Sequence, residues 1–256
     1  MLRGPTPTPT SLRALRGRSG VTLIEALITT VLFSLVMSGV YVFYTTMQGT
    51  LSRGEMKTDL QQSARIGLNR MVREIRMLGY DPESAIATLI RDNPSMNLGP
   101  RPLLDAAIRA ASPDCFSFVT YYNDNSSPPA VLRTIQVTYT LGPRPALPKL
   151  PTLQRQQDAW DATSRTFTLS STQPQAESVN LLSFMYYDQS NGILSPSGGL
   201  TYKCPPGSSY QPSSQLDYSQ IRAVRRVAIT LQTQGSPFRA AAEFYTLTGD
   251  VYLRNR

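Results

Sequence analysis

The chain contains no histidine in 256 residues and only two cysteines, and each scarcity excludes a class of sites. Without histidine there is no Ser-His-Asp triad, no Cys-His dyad, and no zinc, copper or haem site built on imidazole. Cys115 and Cys204 are too few for a zinc site of four thiolates. They suit one long-range disulfide if their domain lies outside the cytoplasm; the alternative is two separate buried thiols.

Acidic residues are missing from the first 20 positions, which carry four arginines. Removing those four from the 25 basic residues of the chain leaves 21, against 17 acids. A dedicated nucleic-acid binder concentrates positive charge on one face of a folded domain. The basic excess here is mainly an N-terminal leader, so we expect no specific nucleic-acid partner.

Charge and proline are both scarce after this leader. Between Val21 and Tyr44 the one side chain expected to be charged is Glu25, and no proline occurs between Pro9 and Pro82. A helix over this segment would be about 36 Å long, which is enough to cross a hydrocarbon layer of about 30 Å. We therefore predict a membrane-spanning helix, in which a carboxylate at bilayer depth costs about 2.5–3.5 kcal/mol.

The helical pattern continues past this apolar run. Apolar side chains recur at steps of three and four residues, which places them along one stripe of a helix. The stripe comprises Met56, Leu60, Ala64, Leu68, Met71, Ile75 and Leu78. Gly79 and Asp81-Pro82 then supply a stop. One helix from about Val21 to Leu78 is predicted, and its second half packs on a folded domain.

The arginines of the leader predict the orientation. The positive-inside rule keeps residues 1–20 in the cytoplasm, so the domain after residue 50 is exported. A secretory signal is cut after its apolar run, at a small-residue site. Here no Ala-x-Ala site follows the run, and the small residues Ser19-Gly20 precede it.

This order of features resembles a type IV prepilin. The family signature is a short basic leader ending in glycine, a residue that is usually Phe, and then Thr/Ser-Leu-Ile-Glu. The chain has Gly20, Val21, Thr22, Leu23, Ile24 and Glu25. Val21 is the one departure from the signature. The resemblance implies cleavage between Gly20 and Val21 by a prepilin peptidase, followed by N-methylation of the new amine of Val21.

The same resemblance implies a role for Glu25. The amine of Val21, in a neighbouring subunit or in the same helix, would pair with its carboxylate, and pairing makes a buried charge tolerable. Such a pair would also specify the register between helices. The alternative is an unpaired acid near the membrane interface.

Both ends of the exported domain resemble minor pilins of the PilW type. "QQSARIGLNRMVREIRMLGYDP" (61–82) is similar to the end of the long helix in that family, and "FYTLTGDVYLRNR" (244–256) is similar to its terminal strand. The segment 221–234 is similar to the strand before it. The residues between 83 and 220 carry no such resemblance.

The middle of the chain has the alternation of β-strands. In "TIQVTYTL" (134–141) apolar and polar residues alternate, as in a half-buried antiparallel strand. Further strands are predicted at 115–122, 165–171, 179–188, 227–231 and near 251–253. About six strands would form one sheet against the helix stripe, an α+β fold. A short helix is a candidate at 101–111, and a Cys115–Cys204 disulfide would tie a loop to the first strand.

The sequence offers only weak candidates for a catalytic, metal or nucleic-acid site. Lys57, Lys149 and Lys203 show no Ser-x-x-Lys context. The loop 188–199 does not have the spacing of an EF-hand, so a turn is preferred to a calcium site. Tyrosines in strands can stack nucleobases, but they more often pack in cores or cross-strand pairs. The strand tyrosines are Tyr121, Tyr122, Tyr186 and Tyr187. We expect no enzyme, no metal and no cofactor.

The sequence therefore divides into a cleaved leader (1–20), a transmembrane assembly helix (21–50), an amphipathic continuation (51–80) and an exported β-rich domain (81–256). The predicted function is structural: a minor pilin of a type IV pilus, in its initiation or tip complex. The alternatives are a minor pseudopilin of a type II secretion system and, less favoured, a membrane-anchored module for DNA uptake or other binding.

The expected partners follow from this function. They are other minor and major pilins through the N-terminal helix, prepilin peptidase, the inner membrane and, as a further candidate, a tip adhesin. Before assembly the chain is expected to cross the inner membrane once, with its N-terminus cytoplasmic and its domain periplasmic. After assembly it is expected in the pilus at the cell surface.

Overall fold

A computed structural model describes residues 20–79, 107–124, 131–142, 150–161, 163–164, 166–197, 214–235 and 244–253. The chain divides into two compact units, residues 1–53 and 54–256. One long helix, α1, runs from Leu23 to Arg76, and its first 31 residues belong to the first unit.

The first unit carries the apolar part of α1. An 18-residue window of this helix has a mean hydropathy of 2.1 and no buried residue, so by length and composition it can cross a membrane. Hydroxyl groups in this segment donate to carbonyls one turn earlier, as Thr29 does to Glu25 (2.7 Å) and Thr46 to Val42 (2.8 Å). These internal bonds satisfy polar groups that lipid cannot. The transmembrane-capable helix is therefore confirmed.

The second unit buries one stripe of α1. The buried positions follow the predicted spacing, but they begin at Ala64, two turns later than expected. They are Ala64, Gly67, Leu68, Met71, Ile75 and, just past the helix, Leu78. Met56 remains 49% exposed and Leu60 is half-buried. The stripe predicted from residue 64 onward is confirmed, and its first two positions lie beyond the core.

Within the described residues, nine strands and one further helix belong to the second unit. The strands are β1 (Ile108–Ala111), β2 (Cys115–Asp124), β3 (Val131–Leu141), β4 (Leu153–Asp161), β5 (Thr166–Ala176), β6 (Val179–Tyr187), β7 (Ile193–Leu194), β8 (Arg226–Gln234) and β9 (Phe244–Tyr252), and the helix is α2 (Tyr218–Ala223). They form a five-stranded sheet, β1-β2-β3-β4-β5, and a four-stranded sheet, β7-β6-β8-β9. Every pairing is antiparallel, as the α+β prediction required.

Three predictions about these elements were wrong. One sheet of six strands was expected, and the described residues form two sheets. The short helix expected over 101–111 is contradicted at Ile108–Ala111, because these residues pair with β2 as an edge strand. Ala107 is helical, and residues 101–106 lie outside the described residues. The strand expected over 221–234 begins only at Arg226, since Ile221 to Ala223 lie in α2, which the capping box of Asp217 starts.

Two glycines let α1 approach both sheets. A Cβ at Gly67 would lie 3.3 Å from the backbone oxygen of Gln175 in β5, and one at Gly249 in β9 would lie 3.1 Å from Val72 Cγ2. A single apolar cluster accordingly contains residues of α1 and of both sheets. The helix stripe, the core face of β2 and β3, and the inner face of β6 and β8 share this core.

Candidate functional site

The predicted processing site lies immediately before α1. Gly20 to Thr22 precede the helix, and Val21 is 73% exposed. Thr22 caps the helix: its Oγ1 accepts the N–H of Glu25 (3.3 Å) and its carbonyl accepts the N–H of Ala26 (3.1 Å). Sequence reasoning missed this role of Thr22. The spacing Thr22-x-x-Glu25, which is that of a capping box, was the available signal.

Glu25 stands in the first turn of α1, where the structure gives it a local electrostatic role. The unpaired N–H groups at a helix N-terminus carry partial positive charge, so a carboxylate there is favourable. A cation at the same end is unfavourable by the same argument. An acid therefore lies four residues after Val21, in the first turn of α1.

A second polar cluster joins α1 to the five-stranded sheet. The carboxylate of Glu74 accepts hydrogen bonds from Arg155 Nε (3.0 and 2.9 Å), from Tyr139 OH (2.7 Å) and from Arg70 Nε (3.1 Å). The other arms of the two arginines reach glutamines, Arg70 to Gln175 and Arg155 to Gln157. We call these four residues, Arg70, Glu74, Tyr139 and Arg155, the Glu74 cluster.

The Glu74 cluster is largely buried, so its role is to hold α1 against the sheet. Arg155 is only 4% exposed and Tyr139 is fully buried. Burial, reinforced by the Glu74 charge, raises the pKa of Tyr139 far above its usual range, so the phenol remains a hydrogen-bond donor. Sequence reasoning missed the cluster because its partners lie far apart in the chain. The one signal was that Glu74 is the sole acid among the arginines of residues 61–79.

The other face of the five-stranded sheet is polar and yet buried. Five side chains of β2, β3 and β4 take part: Ser117, Gln136, Thr138, Gln156 and Asp158. Ser117 bonds Thr138 (2.8 Å) and Gln136 (3.1 Å), while Gln156 donates to Asp158 Oδ1 (3.0 Å). Asp158 is 1% exposed, and its Oδ2 has no hydrogen-bond partner among the described residues. Burial raises the pKa of Asp158, and the bond from Gln156 opposes that shift.

Asp158→Asn is expected to raise the melting temperature at neutral pH. A carboxyl whose folded pKa is raised binds its proton more tightly in the folded state, so ionised Asp158 subtracts stability at neutral pH. That loss is relieved as the pH falls through the folded pKa, and the variant should flatten this dependence between about pH 7 and pH 4. Thermal melts across this range measure it.

The control is Asp161→Asn in the same strand. Hydrogen bonds from Ser164 and Thr163 lower the pKa of Asp161, so removing this charge should not stabilise the fold. A wild-type melting temperature for Asp158→Asn would contradict the prediction.

The remaining predicted sites have structural roles. Asp188 Oδ1 accepts the N–H groups of Ser190 (2.8 Å) and Gly192 (2.7 Å), and Asn191 has a φ of 62°, so the loop is a turn. Tyr186 is buried and donates to the carbonyl of Ser112 (2.7 Å), which makes it a core residue. Within the described residues, no group of three His, Cys, Asp or Glu residues could hold a metal ion.

Cys115 is fully buried at the start of β2. Cys204 lies outside the described residues, so its pairing with Cys115 remains a prediction. The side chain of Tyr122 and residues 143–149, which include Lys149, also lie outside them.

Comparison with known proteins agrees with the N-terminal features. No curated protein matches the chain. The family model for the prokaryotic N-terminal methylation motif matches residues 15–41, a range that covers the end of the leader, Gly20, Glu25 and the first part of α1. The chain therefore carries the prepilin signal that is typical of type IV pilins and pseudopilins.

Proposed function

We propose that this protein is a minor pilin, a structural subunit of a type IV pilus that acts in the initiation or tip complex. The supporting observation is that two features overlap near the N-terminus. The methylation motif at residues 15–41 overlaps a capped, membrane-capable helix whose cap, Thr22, follows Gly20 by two residues. The similarity of residues 61–82 and 244–256 to PilW-type minor pilins favours the minor-pilin role.

Assembly is the proposed mechanism. A prepilin peptidase cuts between Gly20 and Val21, and the new amine of Val21 is methylated. This cation stands at the positive end of the α1 dipole, so it needs a nearby acid. Glu25 of an adjacent subunit supplies that acid within a bundle of apolar helices, where a charge is tolerable only when paired.

The proposed topology and partners follow from this mechanism. The N-terminus stays in the cytoplasm, the α1 segment from Leu23 to about residue 50 crosses the inner membrane, and the second unit is exported to the periplasm. Other pilins pack against the apolar helix, and the exported unit faces further minor pilins or a tip adhesin. The protein has no enzymatic role in this proposal.

A minor pseudopilin of a type II secretion system would carry the same motif. The sequence Leu253-Arg254-Asn255 near the C-terminus, which is similar to that of PilW-type proteins, favours the pilus. Deletion of the gene distinguishes the two. Loss of surface filaments with normal protein secretion supports the pilus, whereas loss of secretion with normal filaments supports the secretion system.

Glu25→Ala is expected to permit cleavage and to lower recovery of the protein in sheared filaments by at least about tenfold, the equivalent of one lost ion pair of about 1.4 kcal/mol. Quantitative mass spectrometry of the sheared and membrane fractions measures this. Glu177→Ala, which removes an exposed acid of the second unit, is the control. Unchanged recovery of Glu25→Ala would contradict the pairing. Absence of the wild-type protein from every filament fraction would contradict the proposed function itself.

A further inference from the structure

We propose that the exposed face of α1 in the second unit docks a parallel second copy of this chain, offset along the helix axis by about 26 Å. Glu55 and Asp59 of one copy then lie opposite Arg73 and Arg76 of the other. The proposal rests on the assembly function above, since insertion through the N-terminal helix makes the copies parallel. It adds which residues meet, and it places two copies side by side in the filament.

The four charges lie on one face of the helix. Arg73 follows Glu55 by 18 residues, which is five turns, so the two side chains leave the helix in the same direction. Asp59 and Arg76 lie on either side of that direction, and all four fall within a sector of about 100°. All four are exposed, as are Gln62, Ile66, Asn69 and Met77 between or beside them. The face is acidic at its beginning and basic at its end.

None of these charges has a partner within its own helix. No residue three or four positions from Glu55 or Asp59 is basic, and none at those distances from Arg73 or Arg76 is acidic. At helix-neighbour spacings the charges have the same sign instead, because the two acids are four residues apart and the two arginines three apart, spacings that repel. The helix dipole favours the two arginines of the last turn, but it does not reach acids in the middle of a helix.

The surface between the charges suits a neighbouring helix. Ile66 is 58% exposed in the middle of the face and supplies an apolar contact. Next to it an open groove of about 580 Å³ is lined by Asn69, Val72, Arg73, Arg76 and Met77. A carboxylate entering this groove would meet two guanidinium groups, which form strong charge-assisted hydrogen bonds with carboxylates.

A second copy at this offset pairs the acidic half of one face with the basic half of the other. Asp59 and Arg76 are 17 residues apart and Glu55 and Arg73 are 18 apart, which corresponds to about 26 and 27 Å along the helix. One shift therefore brings both acid–base pairs into register. The interface joins two different parts of the same surface, and such heterologous contacts extend into filaments when they do not close. Exposed ion pairs contribute more to register and orientation than to affinity.

Charge reversal in the full chain, expressed in its native host, tests the pairing. One variant carries Glu55→Arg with Asp59→Arg, and the other carries Arg73→Glu with Arg76→Glu. Each variant alone places like charges opposite each other, so we expect its recovery in sheared filaments to fall about tenfold or more. Cleavage and membrane level should stay normal, which separates this loss from misfolding. Glu177→Arg, a reversal off the face, is the control.

Co-expression of the two variants tests the identity of the partner. The all-basic face of one complements the all-acidic face of the other, so recovery of both variants should return. The variant with all four reversals should also assemble. Normal recovery of either single-sided variant would overturn the proposal, and so would a loss that neither co-expression nor the fourfold reversal rescues, because the partner would then be a different subunit. If cleaved wild-type protein is itself absent from filaments, the assembly function fails first.

Discussion

Glu74→Ala is expected to lower the free energy of unfolding of the second unit by about 3–5 kcal/mol, which is the usual cost of breaking a buried ion pair by removing one partner. The variant leaves the guanidinium of Arg155, which is 4% exposed, without its counter-charge. It also leaves the hydroxyl of Tyr139 without its acceptor at 2.7 Å. Three elements, α1, β3 and β4, lose their common contact.

Thermal unfolding of the full chain in detergent micelles measures this loss. For a unit of this size the expected fall in melting temperature is roughly 6–20 °C. Glu55→Ala is the matched control, because Glu55 is an acid on the same helix but exposed. We expect this variant to melt within about 2 °C of the wild type.

A double replacement separates the ion pair from the packing of these side chains. Glu74→Leu with Arg155→Met removes both charges and keeps most of the volume, and apolar replacements of buried ion pairs are often neutral or stabilising. The double variant should therefore be more stable than Glu74→Ala. If Glu74→Ala itself melted like the wild type, the Glu74 cluster would not hold α1 on the sheet.

The parts of the fold that sequence predicted well depend on local signals. The span of α1 follows from the absence of proline, from its apolar run and from the apolar stripe that continues it, and β3 and β8 follow from alternation of apolar and polar residues. Strand β4, "LQRQQDAWD", has no such alternation, because it buries Arg155 on one face and Asp158 on the other. Burial of polar side chains on both faces is a consequence of tertiary packing, which periodicity does not contain.

The errors have a common physical cause. Alanine-rich "IRAA" favours a helix by intrinsic propensity, but pairing with β2 overrides that preference. Alternation shows which face of a strand is buried, but not which strand lies beside it, so one sheet was expected where two are found. The Glu74 cluster joins residues 65 and 81 positions apart, a separation for which no spacing rule exists. The N-terminal site could be predicted because all its parts lie within a few residues.

Gly20→Leu is expected to abolish cleavage, so that the chain remains an uncut precursor that keeps its 20-residue leader. The structure separates this effect from a folding defect. A Cβ at Gly20 meets nothing within 4 Å, and its backbone does not need a positive φ, so a larger side chain can be accommodated before the helix. Any block must then arise in recognition by the peptidase, which the prepilin signal predicts to require a glycine at this position.

The intact mass of the membrane-bound protein measures the result, and its N-terminal peptide reports whether Val21 carries a methyl group. Gly39→Ala is the matched control, because a Cβ there also meets nothing within 4 Å and alanine favours the helix. That variant should be cut and methylated like the wild type. A mature product of normal size from Gly20→Leu would exclude the predicted cleavage site. The amine that Glu25 is proposed to pair with would then not form at Val21, so the ion-pair mechanism would fail together with the cleavage site.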